Sequence, residues 1–164
     1  MNKLYAGLTN LEIMGIAISS ENDAAGFYRK VSDRIENPMV KAKFKALASD
    51  EGKHAELLTE EYLRLSDGDA PKLPAGWKIE TPLEFDKTAS VEDILKKAID
   101  MEKRAQGTYR YAAGRSSDPK ARIMLEYLVE FERGHQRMLE AEMKFLKQNP
   151  EWFEQPWHHV HVGP

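Results

Sequence analysis

Glu51-Gly52-Lys53-His54 and Glu132-Arg133-Gly134-His135 are one frame written twice, 81 residues apart. In each run a carboxylate and an imidazole stand three positions apart, which on a helix places them on one face within a single turn. Thirty residues before each run stands a further glutamate, Glu21 before Glu51 and Glu102 before Glu132. The likeness continues around these residues. Ile18-Ser19-Ser20-Glu21-Asn22-Asp23-Ala24 through Phe27-Tyr28 parallels Ile99-Asp100-Met101-Glu102-Lys103-Arg104-Ala105 through Thr108-Tyr109 at the same offset. Both halves of the chain therefore carry one pattern: Glu, then thirty residues on, Glu-x-x-His.

Working outward, the apolar spacing predicts a helix from Leu8 to about Asn37 and a second from Pro38 to about Leu65, where Ser66-Asp67-Gly68-Asp69 ends it. Pro71, Pro74, Gly76 and Pro82 are too dense for a helix and mark residues 67–88 as a connecting strap. Ser90 and Asp93 resemble a capping box that opens a third helix, Val91 to Gly114, and Asp118-Pro119 opens a fourth that runs to about Gln148. The breaks near 37 and 115 are short, so each joins antiparallel neighbours. The long break after helix two lets the chain return along the bundle. The expected fold is all-α, a four-helix bundle of two antiparallel hairpins joined by a long crossover. It is expected to occupy residues 1–149, with an aromatic, histidine-containing tail at 150–164.

Each hairpin offers two carboxylates and one imidazole. Two hairpins packed about a rough two-fold axis converge four carboxylates and two imidazoles, the ligand arrangement of dimetal carboxylate bundles. Two divalent ions neutralise four carboxylates, whereas four buried and unpaired ones carry prohibitive desolvation and repulsion. Oxygen and imidazole donors suit iron, with manganese the alternative. The candidate metal ligands are thus Glu21, Glu51, His54, Glu102, Glu132 and His135. One Glu-x-x-His alone is an ordinary feature of a solvated helix face. Four matching positions at one offset are not.

Other residues have two readings. Tyr28 and Tyr109, seven residues beyond Glu21 and Glu102, either donate hydrogen bonds to ligating carboxylates, take part in electron transfer, or simply fill the core. Gly52 and Gly134 each cost about 1 kcal/mol of helix propensity, which suggests close approach of a neighbouring helix, with surface glycines of no packing role the alternative. Met14, Met101, Met124, Met138 and Met143 read as core filling. Trp152, Phe153 and Trp157 are expected to pack on the bundle or on a second subunit, with a weak additional metal site at His158, His159 and His161 the alternative. Replacing Glu51 by Gln is expected to weaken metal binding more than it weakens the metal-free fold, which relief of carboxylate repulsion could even stabilise.

The composition narrows the function further. A chain of 164 residues with 41% hydrophobic and 31% charged residues suits one globular domain, and no stretch has the length of a membrane span. Met1 to Asn10 lacks the pattern of a secretory signal, so a cytoplasmic location is expected. The absence of cysteine excludes disulfides, zinc-thiolate clusters and thiolate nucleophiles. A net charge of -3 with interspersed signs supplies no basic stripe for nucleic acid.

With Glu21, Glu51-His54, Glu102 and Glu132-His135 in place, the chain resembles the rubrerythrin group of the ferritin-like di-iron carboxylate superfamily over roughly residues 8–148. The resemblance implies two iron ions per chain in a non-haem centre, often within a homodimer. It implies reduction of hydrogen peroxide or oxidation of ferrous iron by dioxygen. Glu51 and Glu132 would bridge the ions as the catalytic pair, and Glu21 and Glu102 would cap one ion each. Two departures stand out. Ala105 occupies the position where rubrerythrins typically carry a further glutamate, and no cysteine-ligated rubredoxin centre is present. Electrons must then come from a separate donor or from ferrous iron. A ferroxidase for iron storage or delivery, and a helical interaction protein with a structural dimetal centre, are the competing expectations.

Overall fold

Thr9 and Ser90 start two helices by the same device, 81 residues apart. Thr9 Oγ1 accepts the Glu12 amide at 3.2 Å while the Glu12 carboxylate accepts the Thr9 amide at 2.8 Å. Ser90 Oγ accepts the Asp93 amide at 3.1 Å, but here the Asp93 carboxylate turns to the Ser90 hydroxyl, so only half of the expected box forms. Asn37 and Asp118 cap the other two helices, each followed by a proline whose missing amide costs nothing there. The computed structural model describes residues 4–77 and 89–153. Its helices are α1 Asn10–Arg34, α2 Pro38–Leu65, α3 Val91–Arg115 and α4 Pro119–Gln148. Both ends of α1 and α3, and the starts of α2 and α4, thus differ by the repeat offset. The first helix begins two residues later than expected because Thr9 caps it. At the end of α2, Asp67 and Gly68 take positive φ, and the Gly68 amide returns to the Leu63 carbonyl at 2.8 Å.

Cross-helix contacts define the topology. Tyr28 meets Glu102 and Tyr109 meets Glu21, so numbers rise along α3 as they fall along α1, and the two are antiparallel. His54 with Glu132 and His135 with Glu51 give α2 and α4 the same relation. The hairpins α1·α2 and α3·α4 pack most extensively, and among the helix pairs in contact α2·α4 packs least. This is the four-helix bundle with two antiparallel hairpins expected above. Among the described residues no helix is long and apolar enough to cross a membrane.

The core is divided. One apolar cluster joins Phe27, Val31, Phe44, Leu95 and Leu139, and another joins Ile13, Leu58, Ala112, Leu125 and Leu128. Each fully buried side chain of this size contributes about 1.5–3 kcal/mol. Between the clusters all four helices turn polar residues inward at one level. Met14 and Met101 are buried, and Met124, Met138 and Met143 pack partly buried against the clusters, as their spacing predicts. Phe153 belongs to the first cluster, with Trp152 packed against it, so the start of the tail lies on the bundle. Trp157, His158, His159 and His161 lie outside the described residues.

One glycine position is dictated by the strap after α2. A Cβ on Gly15 would lie 2.2 Å from the Lys72 carbonyl oxygen, so the strap crosses α1 in direct contact with its backbone. Gly52 and Gly134 differ. Nothing lies within 4 Å of a Cβ at either, which corrects the expected close helix approach. Gly15→Ala is therefore expected to displace the strap and destabilise by about 1–3 kcal/mol despite its better helix propensity. Gly134→Ala should stabilise by up to about 1 kcal/mol. Thermal melts of the two variants moving in the same direction would contradict this distinction.

Candidate metal centre

Glu21 comes from α1, Glu51 and His54 from α2, Glu102 from α3, and Glu132 and His135 from α4. Each lies near the middle of its helix, where the inward face is set by neighbouring apolar residues. The structure brings all six together, and all are buried, from Glu132 at 0% exposure to His135 at 8%. They form two sets with ligand atoms within 4.8 Å of one another: Glu21, Glu51, His54 and Glu132, and Glu51, Glu102, Glu132 and His135. Glu51 and Glu132 belong to both.

The inner distances respect the repeat. His54 Nδ1 lies 3.0 Å from Glu51, 2.9 Å from Glu132 and 4.0 Å from Glu21. His135 Nδ1 lies 3.1 Å from Glu132, 3.1 Å from Glu51 and 3.6 Å from Glu102. Each imidazole nitrogen hydrogen-bonds the glutamate one turn before it on its own helix. Oε1 of Glu51 and Oε1 of Glu132 are buried with no well-directed hydrogen bond, each facing the Nδ1 of the histidine on the other helix, at 3.1 and 2.9 Å. Buried carboxylate oxygens seldom go unpaired in a protein interior. Here they point into a cluster of further oxygens and two imidazoles, a donor set that fits a pair of divalent cations.

Burial, then the charges of Glu51 and Glu132, pushes the Glu21 carboxyl well above its usual range. Burial likewise carries Glu102 up to about 8, against the hydrogen bond from His135. Burial also opposes ionisation of Glu132 and Glu51, but hydrogen bonds from His135 and His54 outweigh it. Glu132 is held down to about 2, and Glu51 below its usual value. The histidines show the complementary effect. Burial disfavours their charge, yet hydrogen bonds to Glu132 and Glu51 carry His54 up to about 9, and contacts with Glu102, Glu132 and Glu51 raise His135. The shifts thus divide the cluster: burial favours the neutral acid at Glu21 and Glu102, while the imidazoles favour the ionised form at Glu51 and Glu132. Protons balance the charge that divalent cations would balance.

Tyr28 and Tyr109 combine two of the readings open to them. Both are core residues, at 0% and 1% exposure, and both donate a hydrogen bond to a candidate ligand. The partner is on the opposite hairpin: Tyr28 binds Glu102 and Tyr109 binds Glu21. Burial and the adjacent carboxylate raise both phenols well above their ordinary value, so they remain donors at neutral pH. Two neighbours went unnoticed in the sequence. Asp50 Oδ2 lies 3.7 Å from His135 Nε2, and Phe131 stands edge-on to His54 with ring centroids 5.3 Å apart. The signal was present, since each immediately precedes a Glu-x-x-His.

Residues 12–143 match the family model described as Rubrerythrin. Among solved structures, a hypothetical protein from Pyrococcus furiosus is similar, with a TM-score of 0.77 and 26% identity over 87% of this chain and 93% of that one. A Rhodobacter capsulatus bacterioferritin, described with a metal-free dinuclear site and a haem iron, gives 0.76 at 20% identity over 94% of this chain and 96% of that one. The latter likeness shows the shared ferritin-like bundle. No curated protein matches the sequence.

Proposed function

The chain belongs to the rubrerythrin family, and from that premise we propose that it is a non-haem di-iron oxidoreductase reacting with dioxygen or hydrogen peroxide. The observation that carries the reading is the pair of overlapping ligand sets sharing Glu51 and Glu132. Two iron ions held there would supply, between them, the electrons that reduce the oxidant. Glu51 and Glu132, common to both sets, would be shared between the two ions. Glu21 with His54, and Glu102 with His135, each complete one side. Tyr109 and Tyr28 fix the outer carboxylates through their hydroxyls and remain protonated, so each can hold an oxygen of Glu21 or Glu102 in place. The apolar clusters on both sides exclude water from the layer and strengthen its electrostatics. A separate donor must return the electrons, since the chain has no cysteine for a second redox centre.

Ala105 favours a second reading, a ferroxidase acting in iron storage or delivery. It supplies no fifth carboxylate to the cluster. The diferrous protein is expected to react measurably with oxygen but without a strong kinetic preference for peroxide, and Ala105→Glu should increase that preference. Stopped-flow oxidation of anaerobically loaded protein by each oxidant, with metal content determined before mixing, tests both statements. Two bound ions whose oxidation state neither oxidant changes would leave a purely structural centre and refute the oxidoreductase reading.

A further inference from the structure

The offset of 81 that pairs Glu51 with Glu132 and His54 with His135 also pairs Asp50 with Phe131. The inner distances around the two imidazoles agree to within a few tenths of an ångström. At positions 50 and 131 the symmetry ends. Behind His135, Asp50 presents one carboxylate oxygen to Nε2 at 3.7 Å, while its other oxygen binds Lys53 at 2.9 Å. Beside His54 the equivalent position holds the Phe131 ring, edge-on at 80°. The same ring stands 6.2 Å from that of His135. At 3.7 Å that carboxylate is beyond hydrogen-bond length and acts through its charge, which favours a cation held on the imidazole beside it. A phenyl ring carries no such charge.

We propose that Asp50 and Phe131 make the two halves of the centre unequal. The half built on His135, Glu102, Glu51 and Glu132 takes its ion first and holds it longer. The half built on His54 and Glu21 fills second and releases first. This rests on the dimetal reading above. Asp50 and Phe131 are positioning residues in it, since neither belongs to the inner ligand sets. Lys53 reduces the field of Asp50 without abolishing it, because it engages the oxygen turned away from His135.

The test is an anaerobic titration of the metal-free full-length protein with Co2+, followed by its visible absorption and by equilibrium dialysis. The wild type should bind two ions in separate steps at least roughly tenfold apart. Loss of an outer-shell partner typically costs about 10–100-fold in metal affinity. Asp50→Asn should therefore weaken the first step by that factor and leave the second nearly unchanged. Phe131→Asp should tighten the second step and narrow the gap. His54→Ala should leave one ion bound at the first-step affinity. Asp50 and Phe131 are about one-third exposed, and far-UV circular dichroism checks that all three variants fold. Two ions bound with a single affinity, or an Asp50→Asn change that leaves both steps unaltered or weakens them equally, would overturn the inequality alone. Failure to bind a second ion at any concentration would overturn the dimetal reading and this inference with it.

Discussion

Glu51→Gln is expected to weaken the binding of both metal ions by more than roughly 100-fold, beyond the 10–100-fold typical of a lost outer-shell partner, because Glu51 belongs to both ligand sets. It should also destabilise the metal-free fold. There Glu51 is ionised between two imidazolium groups, and its removal leaves buried positive charge without its counterion. Breaking one partner of a buried ion pair costs about 3–5 kcal/mol, roughly 6–20 °C in melting temperature for a domain of this size. Glu102→Gln provides the contrast. Burial keeps Glu102 neutral at pH 7, and a glutamine amide resembles a neutral acid in shape and polarity. That variant should keep nearly the melting temperature of the metal-free parent and lose affinity chiefly for the ion on the His135 side. Calorimetric melts with and without Co2+ distinguish the two. Equal melting temperatures for the metal-free forms of both variants would contradict the assignment of charge.

The second large effect is on pH. In the fold Glu102 is raised from 4.5 to about 8 and His54 from 6.5 to about 9. Each therefore contributes stability in full below its unfolded value, and that contribution is lost as pH rises to the folded value. Glu132 has the opposite sign. Lowered from 4.5 to about 2, it contributes in full above 4.5 and loses its share as pH falls towards 2. The metal-free protein should therefore melt at a lower temperature at pH 9 than at pH 6. Metal binding needs the same protons removed, so stabilisation by added Co2+ should grow over that interval. At pH 7, uptake of two ions should release protons, because Glu21, Glu102, His54 and His135 are all shifted towards their protonated forms. Uptake in weakly buffered solution with a pH indicator measures this directly. Metal binding without proton release, or a metal-free melting temperature that rises from pH 6 to 9, would refute the proton inventory.

The helices and the six candidate ligands were legible because they depend on local rules. Thr9, Asn37, Ser90 and Asp118 stop or start a helix by their own side chains, and three-residue spacing puts a glutamate and a histidine on one face wherever the helix lies. What depends on tertiary neighbours was hidden. Gly52 and Gly134 drew attention beside the motif, yet both meet open space, while Gly15 touches a strap whose path no local rule specifies. The tyrosines carried the right chemistry, but spacing along one helix could not reveal that each serves the opposite hairpin. The repulsion that replacing Glu51 would relieve is opposed by the two imidazoles beside it, which spacing along one helix does not show. Four like charges look equivalent in a sequence, and only the placement of two imidazoles separates two ionised glutamates from two neutral ones.

The division of the core governs traffic. Along the bundle axis the polar layer is closed at one end by Phe27, Phe44 and Leu95 and at the other by Ile13, Leu58 and Leu128, all nearly inaccessible to solvent. The flank between α2 and α4, the least extensive of the helix pairs in contact, carries both histidines, and beside them the partly exposed Asp50 and Phe131. Ions, protons and small oxidants that pass between solvent and this layer have their shortest route through a side wall, about one helix radius deep. An axial route would cross several turns of packed hydrocarbon. One carboxylate and one aromatic side chain stand on that wall, so whatever crosses it passes two residues outside the inner ligand set.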